Sequence, residues 1–123
     1  DEKLDEIVSS AIRLKNEGQL EDAIKLLEGL MQKGQVYPPA MLNLAIYYRL
    51  RGEKEKALDL FRILEKVVED DPVFLFNYSA LLMEMGDVQK AREYFERIKR
   101  PGHNKEFEHK LNELRQSLQE LLD

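Results

Sequence analysis

Apolar residues recur along the chain at three- and four-residue spacing, the period of one face of an α-helix. Leu75, Tyr78 and Leu82 show it in one stretch, and Ala57, Leu58, Phe61 and Leu64 in another. Glycines divide such stretches; glycine adopts positive φ at little cost and so ends a helix. The pattern predicts seven helices, over about 3–16, 20–33, 39–51, 54–69, 73–85, 88–99 and 104–122. Gly34 should close the second, and Pro101-Gly102 the sixth. Pro38, Pro39 and Pro72 read as first-turn residues, with Asp71 as the N-cap ahead of Pro72.

The segments align on Gly18, Gly52 and Gly86, each 34 residues after the last. Five residues after each glycine stands Ala23, Ala57 or Ala91; nine after, Leu27, Phe61 or Phe95; twelve after, Leu30, Leu64 or Ile98. Four before stands Leu14, Tyr48 or Leu82; seven before, Ala11, Ala45 or Ser79; eleven before, Ile7, Met41 or Leu75. Six triplets in one register define a repeat of two helices joined by a tight turn. The small residues, seven before and five after the glycine, fall where the two helices cross closely, and the large ones fill the space around them.

This period and residue pattern resembles the tetratricopeptide repeat, over about residues 4–103. The stretch MLNLAIYYRLRGEKEKALDLF matches it best. The first unit departs most, with Ser10 where the others carry Leu44 and Tyr78. Ile7, Met41 and Leu75 replace the family's tryptophan, and its proline after the second helix is displaced. The resemblance implies an all-α fold, a right-handed α-solenoid of stacked antiparallel helix pairs. The expected organisation is one domain over 1–123, with units at about 4–37, 38–71 and 72–103.

The last predicted helix has no glycine unit after it. Phe107, Leu111, Leu114, Leu118 and Leu121 or Leu122 share one face, with Glu108, Lys110, Glu113, Arg115 and Gln116 toward water. It reads as a cap on the third unit, the kind of polar-backed end that a solenoid needs. The alternative is a dimerisation helix.

Composition narrows the function. Charged residues make up 35% and hydrophobic residues 43%, too apolar for a disordered tail and too charged for a membrane protein. The longest uncharged run, Gly34–Tyr48, contains two prolines and is too short to cross a bilayer. The expected location is the cytoplasm. The chain opens on Asp1 rather than methionine, which fits a processed chain or a piece of a longer one. No cysteine is present, which excludes disulfides and thiolate chemistry. His103 and His109 are six apart and cannot share a metal on one helix face. No hydrolase, metalloprotease or phosphate-loop motif occurs, and Asp71 in the run Glu69-Asp70-Asp71 is explained by capping. The expectation is no enzyme, no cofactor and no metal. Arg49, Arg51, Lys54 and Lys56, and Arg92, Arg97, Lys99 and Arg100, form two basic clusters. Glu53 and Glu55 interleave the first, and Glu93 and Glu96 the second. With a net charge of −5, neither argues for nucleic acid.

In a stacked helix-pair solenoid the first helices of successive units line the concave face. The residues placed there are Val8, Leu42 and Phe76; Ile12, Ile46 and Ala80; Lys15, Arg49 and Met83; and Asn16, Leu50 and Glu84. Leu42, Ile46 and Leu50 form a second stripe on a helix that Met41, Leu44, Ala45 and Tyr48 already anchor. An apolar face beyond core needs asks for a partner, or for packing between units. Asn43 and Asn77 share one register and suit hydrogen bonding to a peptide backbone, or a local bond. One TPR subclass grips acidic chaperone tails with a clamp of Lys, Asn and Arg. Those positions fall here on Val8, Ile12, Asn43, Val73 and Asn77, and only Asn43 matches, which argues against that ligand. The reading is therefore a protein-interaction scaffold whose apolar groove, Val73 included, takes a peptide or amphipathic helix. Its rivals are a self-assembly module forming a homodimer and a regulatory domain of a larger protein.

Overall fold

The computed structural model of the protein describes residues 1–34, 36–99 and 104–123. Among these residues it contains seven α-helices and no strand. They are α1 (Glu2–Asn16), α2 (Leu20–Gln32), α3 (Pro38–Arg51), α4 (Lys54–Glu65), α5 (Pro72–Glu84), α6 (Val88–Glu96) and α7 (Lys105–Leu122). The chain forms two compact units, Asp1–Val68 with α1–α4 and Glu69–Asp123 with α5–α7.

Each repeat glycine sits in the left-handed region, with φ +83° at Gly18 and +90° at Gly52 and Gly86. The turns close identically. The amide of Gly18, Gly52 or Gly86 donates to the carbonyl of Lys15, Arg49 or Met83. The next amide, of Gln19, Glu53 or Asp87, donates to Leu14, Tyr48 or Leu82 at 2.8–2.9 Å. This pair of bonds satisfies the orphan carbonyls at the end of each first helix. Gly34, with φ +74°, closes α2 as the pattern predicts.

Two helices stop early. α4 ends at Glu65 rather than near 69, because its last amides slip to three-residue bonds, Lys66 to Ile63 and Val67 to Leu64. The β-branched pair Val67-Val68 and the acidic run before Pro72 disfavour further turns. α6 ends at Glu96 rather than near 99, again on three-residue bonds, from Arg97 to Tyr94 and from Ile98 to Phe95. The expected Pro101-Gly102 stop lies outside the described residues.

In unit 1, α1 packs on α2, α2 on α3, and α3 on α4, with α1 also beside α3. Ala11, Ala23, Ala45 and Ala57 are completely buried, and Leu27 and Phe61 fill the space beside them. In unit 2, Ser79 and Ala91 take the corresponding close-packed positions between α5 and α6. Helix α7 lies against α6 and α5 and buries Leu111, Leu114 and Leu118. Its apolar stripe runs on to half-buried Leu122, while Leu121 is 58% exposed. Arg115, expected in water, is instead half-buried with its guanidinium 5.5 Å from the Phe95 ring centre.

Candidate peptide-binding face

Helix α3 is apolar on two sides. Met41, Leu44, Ala45 and Tyr48 are buried in unit 1. On the other stripe Leu42 and Ile46 are half-buried and Leu50 is 51% exposed. Ile12 on neighbouring α1 is 38% exposed, and Arg49 is half-buried. In unit 2 the matching positions of α5 leave Val73 43% exposed and Phe76 and Met83 half-buried. Part of the Phe76 ring is covered by α7: it meets Phe107 edge-on at 5.7 Å between centroids.

Three of the residues read from the sequence as groove-lining, Val8, Asn77 and Ala80, are buried. They offer a ligand little surface. On a helix apolar all round, spacing alone does not say which stripe its neighbours cover. The two asparagines behave alike. Asn43 Nδ2 donates to the Pro39 carbonyl and Asn77 Nδ2 to the Val73 carbonyl, each at 2.8 Å. One amide donor of each is thus engaged four residues back in its own helix, the local bond that competes with a ligand-facing role.

Sequence spacing missed a polar cluster on the other, packed side of α3 in unit 1. Tyr48 donates its hydroxyl to Glu28 on α2 at 2.5 Å. Burial, then the Glu28 carboxylate, pushes the Tyr48 hydroxyl well above the usual phenol range. Arg51 and Lys56 lie within 5.7 Å and 5.4 Å of the Tyr48 ring centre. Arg51 bridges Glu21, at 2.9 Å, and Glu53, while Lys56 reaches Glu53 at 3.2 Å. The Arg51 bond holds the Glu53 carboxyl below its ordinary range. These groups tie the α3–α4 turn to α2 and balance much of the first basic cluster. In the second, Arg92 pairs with Glu96 at 3.4 Å and Arg97 with Asp70, whose carboxyl is held low by that arginine. Glu28, Glu21 and Asp70 stand 20 to 30 residues from Tyr48, Arg51 and Arg97, so no local spacing could announce these pairs.

Among the described residues no cluster of histidines and carboxylates could hold a metal, and no helix is long and apolar enough to cross a membrane. His109 pairs with Glu113 at 2.6 Å; His103, like Arg100 of the second basic cluster, lies outside the described residues.

The tetratricopeptide repeat family's profile matches residues 39–72 and 74–100, the stretches that hold α3–α4 and α5–α6. The chain belongs to this family of helical-repeat proteins, whose members typically carry no catalytic activity of their own. Comparison with curated proteins gives no match. Among solved structures, the chain is similar to the type III secretion chaperone SycD of Yersinia enterocolitica in complex with a peptide of the translocator YopD. The TM-score is 0.80 at 18% identity, covering 100% of this chain and 97% of that one. PcrH of Pseudomonas aeruginosa, in complex with the chaperone-binding region of PopD, gives 0.77 at 17% identity, covering 98% and 92%. The Sgt2 TPR domain of Aspergillus fumigatus gives 0.78 at 18% identity, covering 98% and 82%. At these identities the likeness is one of fold.

Proposed function

We propose that the chain is a non-catalytic cytoplasmic adaptor that binds a peptide or amphipathic helix of a partner protein on the apolar face of α1 and α3 in unit 1. The stripe Leu42, Ile46 and Leu50 carries this reading. It is left partly open on a helix whose opposite side is already buried in unit 1. Covering one such side chain fully is worth ~1.5–3 kcal/mol, so a few anchors give useful affinity. Asn43 and Arg49 flank the stripe and supply polar contacts that fix register. Solved SycD and PcrH complexes with peptides of their own partners support the reading by likeness of fold.

The test is a peptide selected by display against the immobilised protein, then titrated into wild type, Ile46→Glu and Ala57→Leu. Ile46→Glu keeps its carboxylate in water when free and should melt like wild type. The bound state would desolvate that charge, weakening binding by ~2 kcal/mol or more, over tenfold. Ala57→Leu overpacks a completely buried crossing and should lower stability and binding together, by ~1–3 kcal/mol. Full peptide affinity in Ile46→Glu, or its unfolding, sinks the proposal. A tight dimer at micromolar protein by light scattering would favour self-assembly through the same face.

A further inference from the structure

Unit 2 contains a cleft that shares no residue with the face just described. It lies between α6 and the C-terminal half of α7, holds about 450 Å³ and is lined by the apolar Phe95, Leu122 and buried Leu118 and by Arg92, Glu96, Arg115, Gln119 and Asp123. A smaller hollow of about 170 Å³ shares Phe95, Glu96 and Arg115 and reaches Ile98 and Leu111. Volumes of this order, with apolar and charged groups side by side in the lining, suit the capture of one or two side chains.

The charges in the lining are not equivalent. Arg92 is matched by Glu96 at 3.4 Å. Arg115 has no carboxylate within ion-pair distance among the described residues. It is fixed instead by the neutral Asn112 side-chain oxygen, 2.7 Å from its Nη1, and by the Phe95 ring beneath it. Asp123 also borders the cleft, but stands eight residues further along α7, about 12 Å at 1.5 Å per residue. A half-buried guanidinium, oriented on both sides and lacking an anion, offers its remaining donors to a carboxylate.

We infer that this α6–α7 cleft is a second binding site, taking a short partner segment that places one or two apolar side chains on the half-buried Phe95 and Leu122 and an adjacent acidic side chain on Arg115. The apolar lining supplies attraction, and Arg115 supplies the choice of an acidic over a neutral neighbour.

The experiment titrates acetyl-Leu-Leu-Glu-amide and acetyl-Leu-Leu-Gln-amide into the full ¹⁵N-labelled chain and follows amide shifts. The Glu peptide should move Phe95, Arg115 and Leu118 and bind about three- to fivefold tighter than the Gln peptide, the scale of a partly exposed ion pair. In Arg115→Gln the two peptides should bind equally, at the wild-type affinity for the Gln peptide; Arg115→Lys should recover part of the preference. Equal binding of both peptides to wild type overturns the inference. So does a preference that survives in Arg115→Gln, or the absence of shifts at the cleft. Shifts confined to α1 and α3 also overturn it and leave the first face to be judged by Ile46→Glu. Cleft shifts that grow with protein concentration and without peptide assign the site to a second copy, and overturn it too.

Discussion

Helices α3 and α5 hold the same place in the repeat, 34 residues apart, but their units hold them by different means. Tyr37, ahead of α3, makes no side-chain cap, whereas Asp71 caps α5 by accepting the Phe74 amide at 3.0 Å. At the register four before the glycine, α3 has Tyr48, tied by its hydroxyl to Glu28; α5 has Leu82. α5 relies on rings instead: Tyr78 packs 4.6 Å from Tyr94 and 5.6 Å from Phe74, centroid to centroid. α5 has buried nearly every turn of its surface, Asn77 and Ser79 included, while α3 keeps its Leu42-Ile46-Leu50 stripe partly open. The repeat thus fixes where residues stand, and each unit chooses its own chemistry to hold them. The unit with the more polar attachments is the one whose first repeat helix keeps the more open apolar stripe.

The largest effect should come from breaking what only unit 2 has, a closing helix. Leu111→Ala removes a buried contact of α7 and should cost ~2–5 kcal/mol, seen as lost amide protection in α5–α7 by hydrogen exchange. A loss under about 1 kcal/mol would mean that α7 packs too loosely to act as a cap.

The turns should prove equivalent where the helices are not. Gly52 and Gly86 share φ +90°, and an added Cβ at either would meet nothing within 4 Å. Gly52→Val and Gly86→Val therefore suffer backbone strain alone, roughly 1–2 kcal/mol or more for each. Urea denaturation of the two variants checks this; one tolerated substitution would show that the turns differ after all.

The smallest effect, that of Ser79→Ala, concerns the close crossing, alanine in unit 1 and serine in unit 2. The Ser79 hydroxyl is fully buried and without a hydrogen-bond partner. Ser79→Ala should stabilise the protein by ~1 kcal/mol, and the reciprocal Ala45→Ser should destabilise it by ~1–3 kcal/mol. Thermal melts of both variants decide; a destabilising Ser79→Ala would show that the hydroxyl has a use in the fold.

Much of the molecule was legible in the order of residues. The three glycine turns follow from a local rule: a left-handed residue closes a helix, and only glycine takes that conformation freely. Helix starts were readable where a short acidic or amide side chain precedes the helix, as at Asp71. Helix ends at Glu65 and Glu96 were less so, because three-residue bonds at a fraying terminus leave no strong signature. The candidate face was legible only in part. Ile12, Leu42, Ile46 and Leu50 retain exposed surface as expected, whereas Val8, Asn77 and Ala80 are covered.

The sequence by itself determined the helices, their turns and the small residues at each crossing, because these depend on contacts within one turn or one helix pair. Only the tertiary structure decided which apolar stripe is covered, that Phe76 meets Phe107, that Arg51 reaches Glu21, and that Arg115 lies over Phe95. The physical reason is distance along the chain. Periodicity records which residues share a helix face, but not which neighbour arrives against that face.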